Sequence, residues 1–185
     1  MSNRIFIYAL ALSFFMNTVA AYEQAYPRTK VGHFEIKVLP AATLIASQTE
    51  QSYFENNGTL FRPLFRYIQQ HDIAMTTPVE AEISPGVMYF YIGSDITISD
   101  LPKSEKVEIL NLPERMVASI GVRGSYNQAN FAEAEARLRT WIETQEQYQV
   151  DGEARGVFWN GPMTPGFIKR FEVHLPIRER LEAGE

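Results

Sequence analysis

The pattern Glu35-Ile36-x-x-Leu39-Pro40 returns as Glu108-Ile109-x-x-Leu112-Pro113, and each copy leads into an apolar strand, a loop and an amphipathic helix. A recurrence of this kind constrains a fold more than any single motif, because duplicated units bury their apolar faces against one another. A second echo follows in the same order, with Met163-Thr164-Pro165 answering Met75-Thr76-Thr77-Pro78. Two copies of strand, strand, helix, strand, strand predict an α+β domain of about eight strands and two helices, with antiparallel strands closing around a core.

Within the first copy, Phe34, Ile36 and Val38 alternate with His33, Glu35 and Lys37, which predicts a half-buried strand over His33 to Leu39. Pro40 interrupts it, and Thr43 to Glu50 is expected to return as its hairpin partner. The polar turn Asn56-Asn57-Gly58 then opens a helix from Thr59 to Gln70, with Leu60, Phe61, Leu64, Phe65 and Ile68 in one apolar stripe. Pro63 belongs in its first turn, where the missing N–H costs little. Pro78 fixes its own φ and biases Thr77 towards extended backbone, so the chain leaves the helix as a strand. Val79 to Ile83 and Val87 to Ile92 flank Ser84-Pro85-Gly86 as an antiparallel hairpin.

In the second copy, Met116 to Val122 reads as a strand and Gln128 to Glu146 as a helix capped by Asn127. Phe131, Ala134, Leu138, Trp141 and Ile142 form its buried face, while Glu133 with Arg137 and Glu135 with Arg139 pair outside. Phe167 to Leu175 is the expected final strand, and Arg178 to Glu185 a polar tail.

The N-terminus carries Arg4, an apolar run from Ile5 to Phe15, and small residues at Ala20 and Ala21, the pattern of a cleaved export signal. The run falls short of the ~20 residues that span a bilayer. Residues 1–21 are therefore expected to be a signal peptide and residues 22–185 a single domain, periplasmic or secreted, without stable membrane insertion after cleavage. Removing the signal takes away Arg4 and no acid, leaving 16 basic against 22 acidic residues. That balance disfavours nucleic acid and anionic membranes as partners. With no cysteine, disulfides, thiolate metal sites, a cysteine nucleophile and covalent c-type haem are excluded together.

Three histidines are the only imidazoles. His33 and His174 fall opposite the apolar faces of their strands, so both are expected to be solvated. His71 follows the first helix and precedes Met75, a place open to metal ligation, although a helix-terminal imidazole also interacts favourably with the helix dipole unaided. Met75 and Met163 take equivalent places in the two copies, where a thioether touches a ligand or fills an irregular gap. Arg62 and Arg66, on or beside the helix's polar side, either pair with ligand carboxylates or stand as solvated charges. Gly-x-Ser-x-Gly, His-Glu-x-x-His and glycine-rich phosphate loops are missing. His71-Asp72 with Thr76 or Thr77 nearby suggests a general-base arrangement.

Ile73-Ala74-Met75-Thr76-Thr77-Pro78-Val79, following Leu64-Phe65-Arg66-Tyr67-Ile68, resembles the signature of the SOUL haem-binding family. Asn160-Gly161-Pro162-Met163-Thr164-Pro165-Gly166-Phe167 and the strand after it resemble that family's Pro-rich loop and last strand, with Met163 where an aromatic residue is usual and Gly166 where proline is. The resemblance implies a distorted antiparallel β-barrel with two flanking helices, similar to the gyrase-inhibitor-like effector-binding modules. It also implies haem, or another tetrapyrrole, as a non-covalent ligand. The groove would lie between the first helix and the Pro-rich loop, lined by Phe61, Leu64, Phe65, Ile68, Met75, Met163 and Phe167. Arg62 and Arg66 would meet the propionates, and His71 is the candidate axial ligand. The expected function is a non-enzymatic haem carrier, buffer or sensor. A binding module for another amphipathic small molecule is the alternative, and a hydrolase-like enzyme a third.

Overall fold

The computed structural model describes residues 23–180, so the expected signal peptide lies outside the described residues. In chain order the elements are β1 (Glu23–Gln24), β2 (Phe34–Leu39), β3 (Ala42–Thr49), α1 (Tyr53–Gln70), β4 (Thr76–Thr77), β5 (Val79–Glu82), β6 (Gly86–Tyr91), β7 (Glu108–Leu112), β8 (Arg115–Arg123), α2 (Gln128–Glu143), β9 (Tyr148–Val150), β10 (Arg155–Phe158) and β11 (Arg170–Glu179). The main sheet runs β2-β8-β11-β10-β5-β6-β3-β7, with β9 added beside the end of β11 and β1 paired separately with β4. Every pairing within the main sheet is antiparallel.

Two short connections dictate the shape of this sheet. Only Pro40 and Ala41 separate β2 from β3, yet these strands stand first and seventh in the order. Only Pro113 and Glu114 separate β7 from β8, which stand eighth and second. A flat sheet at ~4.8 Å per strand would hold β2 and β3 about 29 Å apart, whereas two linking residues span about 10 Å. The sheet therefore curls into a half-barrel, and this architecture is the α+β fold expected from the residue pattern.

Curling separates two cores. On the outer face, α1 packs on β3 and β6 while α2 packs on β8 and β11. Leu60, Leu64 and Ile68 meet Ile45, Met88 and Phe90 there, and Phe131, Leu138 and Ile142 join a cluster that includes Ala118, Ile120, Val173 and Leu175. The helices meet at their starts, where the Phe54 and Phe131 rings lie 5.9 Å apart. The inner face carries a second cluster, Tyr26, Leu39, Leu44, Ala46, Tyr89, Tyr91, Val117, Val157 and Trp159.

Several sequence expectations change in this setting. β3 pairs with β6 and β7 rather than with β2, because the Pro40-Ala41 link joins opposite ends of the curl. α1 begins at Tyr53 instead of Thr59, and Asn56-Asn57-Gly58 is a kink within it, with Asn56 at φ −128° and ψ 16°. Packing overrides the polar stretch there: Tyr53 is buried and stacks on Phe158 with ring centroids 5.2 Å apart. α2 stops at Glu143, and Asn127 caps it by accepting from Asn130 N–H at 2.8 Å. Glu135 pairs with Arg139 at 2.7 Å, whereas Arg137 lies over the Phe34 ring. The last strand starts at Arg170, since Gly166–Ile168 forms a 3-10 turn.

With the first five main elements (β2, β3, α1, β5, β6) set beside β7, β8, α2, β10 and β11, the sheet order reads the same from either end. This supports the internal duplication, which remains a proposal. The methionine echo does not follow that correspondence. Met75 lies between α1 and β4, while Met163 lies between β10 and β11.

Candidate functional site

The residues expected to line one groove are dispersed by the helical geometry of α1. Leu64 and Ile68, 0% and 2% exposed, are part of the outer core and face the sheet, so no ligand reaches them without unfolding that core. Phe61 and Phe65, one turn apart, stack at 5.2 Å on one flank, with Phe61 also edge-on to Phe90 at 5.4 Å. Phe65 is 40% exposed. Met75 is half-buried against the outer core, which makes it filling rather than lining. Met163 and Phe167, 93% and 76% exposed, project from the β10–β11 loop into solvent.

That loop is tied to the turn before α2. Tyr126 Oη donates to Arg170 O at 2.7 Å and accepts from Asn160 N at 2.9 Å, and Gly124 N donates to Lys169 O at 3.0 Å. Burial pushes the Tyr126 phenol up to about 12, so it remains a proton donor across the neutral range.

Two clefts border α1. One of about 320 Å³ is lined by Thr59, Arg62, Pro63, Arg66, Tyr67, Gln70, Ser104, Lys106 and Val107. It gathers three cations beside an aromatic ring. The other, of about 580 Å³, lies past the helix end and includes His71, Asp72, Ile73, Gly93, Asp95 and Leu101. Both volumes fall within the ~300–1,000 Å³ typical of small-molecule sites. Tyr67 lines the first and Pro102 the second, and Tyr67 Oη donates to Pro102 O at 2.7 Å. His71 is exposed, with its ring 4.7 Å from Tyr67. Carboxylates of Glu23, Asp72 and Asp95 surround its cleft, an unfavourable setting for a propionate.

The imagined general-base arrangement does not assemble. Thr76 Oγ1 donates to Tyr91 O at 2.5 Å and Thr77 Oγ1 to Glu23 O at 3.3 Å, so neither hydroxyl is directed to His71. No group of three His, Asp or Glu among the described residues is placed to hold a metal ion. No described helix is long and apolar enough to cross a membrane.

His174 is the clear correction among the histidines. It is 1% exposed rather than solvated, while His33 is exposed as expected. His174 belongs to a polar centre inside the half-barrel that strand alternation did not reveal. Glu80, also 1% exposed, accepts from Arg115 Nη2 at 2.6 Å, Tyr91 Oη at 2.5 Å and Arg155 Nη1 at 2.9 Å. Burial alone would raise this carboxyl, but the two guanidiniums prevail and hold it below the usual range. Glu172 accepts from Thr29 N and Trp159 Nε1, both at 2.8 Å, and from Lys37 Nζ and Ser119 Oγ, both at 3.0 Å. Thr29 Oγ1 at 3.0 Å and His174 Nε2 at 2.8 Å complete the set. Burial again opposes ionisation, yet the bond from His174 and the Lys37 charge bring the Glu172 carboxyl down to about 2.

Solved structures share this fold at low sequence identity. The C-terminal domain of EcmrR matches at 12% identity and TM-score 0.64, over 80% of this chain and 98% of that one. In the EcmrR–DNA complex the matched region is 58% of the longer EcmrR chain. A protein described as a hydrolase from Listeria innocua matches at 10% identity and TM-score 0.59, over 81% and 94%. SAV2435, bound to tetraphenylphosphonium, matches at 11% identity and TM-score 0.50, over 79% and 94%. At such identities the likeness is one of fold. No curated protein matches the sequence. The profile of the SOUL heme-binding protein family does, from residue 20 to residue 176, and on that match across most of its length the chain belongs to the SOUL family.

Proposed function

We propose that the chain is an exported, non-enzymatic tetrapyrrole-binding protein, a carrier, buffer or sensor that holds haem against the exposed side of α1. The observation that carries this reading is the placement of Arg62, Arg66 and Lys106 along one cleft of the helix that also bears the stacked Phe61 and Phe65 rings. Family membership supports haem as the ligand. Cations suited to carboxylates and rings suited to a flat apolar face thus share one helix. The bonded hydroxyls of Thr76 and Thr77 support a binding role over hydrolysis.

The flank acts as a surface more than as an iron site. Covering about 300 Å² of apolar area contributes roughly 7 kcal/mol at ~25 cal/mol per Å², and association entropy removes part of it. Micromolar binding follows without an iron bond. His71 is the histidine beside α1 from which a ligand bond would come; His33 adjoins Phe34, whose ring stacks on Trp141 of α2, and His174 is enclosed. A lipophilic cation is the less favoured ligand, because Glu80 and Glu172 already hold protein cations.

Titration of the mature protein with haemin tests the proposal. A saturable Soret shift is expected, with iron-free protoporphyrin binding within about tenfold. Linear, featureless uptake would remove the haem reading, and failure of protoporphyrin alone would make His71 an axial ligand.

A further inference from the structure

The segment that opens the described chain puts a tyrosine where a ligand would fit. Ala25 N donates to Thr77 O at 2.9 Å, after which Tyr26 turns inward and becomes 5% exposed. Its ring stands edge-on to Tyr91 at 5.7 Å and to Trp159 at 5.6 Å, and 5.9 Å from the His174 ring. Thr29 then anchors on Glu172, and Gly121 leaves room for the strap, since a Cβ there would stand 2.4 Å from the Lys30 carbonyl oxygen. Residues 23–32 thus close the half-barrel mainly through hydrogen bonds, with Tyr26 as their one deeply buried ring.

Among the described residues, three buried polar side-chain atoms lack a hydrogen-bond partner, Tyr26 Oη, Arg115 Nη1 and His174 Nδ1, and all three belong to this interior. Burying a polar atom without a partner is unfavourable, so Tyr26 is an imperfect occupant: its ring fits and its hydroxyl is left over. In the tautomer whose Nε2–H is directed at Glu172, Nδ1 is an acceptor, while Arg115 Nη1 is a donor only. A hydroxyl can donate to an acceptor such as His174 Nδ1 and accept from a donor such as Arg115 Nη1. The charges are already compensated by Arg115, Arg155 and Lys37, so an ionic ligand would have to break a pair and a neutral one would not.

We propose that the half-barrel interior is a second ligand site, on the opposite side of the sheet from α1, for an uncharged aromatic molecule bearing a ring hydroxyl. The Tyr26 side chain is its built-in placeholder. A phenol free of the strap takes the slot between Tyr91 and Trp159 and is not held back from Arg115 Nη1 and His174 Nδ1 by a backbone tether. Strap opening and ligand binding are then one equilibrium.

Trp159 fluorescence in a Trp141→Phe background reports the site, since the chain has two tryptophans. The probes are p-cresol, which is the tyrosine side chain itself, and toluene, which lacks the hydroxyl. Saturable p-cresol binding is expected, with toluene at least about tenfold weaker. If the open strap is populated at about 1–10%, Tyr26→Ala should tighten p-cresol binding about 10- to 100-fold. Tyr26→Phe keeps the plug and should not tighten it. Should Tyr26→Ala not fold, hydrogen exchange on the otherwise unaltered chain decides: saturating p-cresol should speed exchange at the Ala25 and Thr29 amides. Equal affinity for toluene and p-cresol, no gain from a folded Tyr26→Ala, or unchanged exchange at those amides would each overturn the proposal. Haemin binding at α1 should be unaffected by p-cresol, which separates this site from the tetrapyrrole reading.

Discussion

His174 Nε2 lies 2.8 Å from Glu172 Oε2 with both residues 1% exposed, although the two share the face of β11 that alternation marks as wet. Curling turns that face inward, and the strap from Glu23 to Gly32 closes over it. Buried in this way, a carboxylate must keep its full set of donors or lose its charge.

Acid should therefore destabilise the protein through Glu172. Its folded value of about 2 lies below the ordinary 4.5. Because the shift is downward, the contribution is fully present above about pH 4.5 and disappears as pH falls towards about 2, a loss of roughly 3 kcal/mol. Urea unfolding midpoints measured from about pH 6 to about pH 3 should fall, and Glu172→Gln should flatten the slope. An unchanged slope in the variant would place the acid sensitivity elsewhere.

Removing the other buried carboxylate should be costlier than a surface change. Glu80→Ala leaves Arg115 and Arg155 without their shared partner, and the expected loss is about 3–5 kcal/mol. Chemical denaturation measures it, and a loss below about 1 kcal/mol would show that water replaces the carboxylate freely.

Trp141 is half-buried rather than enclosed, stacked on Phe34 with ring centroids 5.3 Å apart and planes at 15°. Trp141→Ala should cost about 2–3 kcal/mol, less than the ~3–5 kcal/mol of a fully buried aromatic. A double-mutant cycle with Phe34→Ala should return a coupling of about 0.5–1.5 kcal/mol. Strict additivity would mean that the rings touch without interacting.

Neighbouring positions on α1 should separate folding from binding. Leu64→Asp places a charge in the outer core and should unfold the protein. Phe65→Asp changes an exposed ring and should leave the circular dichroism spectrum intact while weakening haemin at least about tenfold. Arg62→Glu with Arg66→Glu should do the same by reversing two charges of the cleft. Full haemin affinity in both folded variants would move the site away from α1.

Protein recovered from the expressing cells should begin near Tyr22, as the Arg4, Ile5 to Phe15 and Ala20-Ala21 pattern requires. N-terminal sequencing reads this directly. A cytoplasmic product starting at Met1 would overturn the proposed export.

Local chemistry made much of the fold legible. The Leu60, Leu64, Ile68 stripe, the Asn127 cap and the Val79–Glu82 with Gly86–Tyr91 hairpin depend on neighbours within a few turns or one strand, so their residue pattern alone specified them. The family resemblance likewise resided in short contiguous strings around Met75 and Met163. The pairing partners of β3, the exposure of Met163 and Phe167, and the inner centre of Glu80, Glu172 and His174 were decided by tertiary structure. Alternation along a strand tells which residues share a face, and it contains no information about whether that face curls inward or what covers it. Here two-residue links joined strands from opposite ends of the sheet, and that closure turned a row of apparently solvated charges into the buried interior.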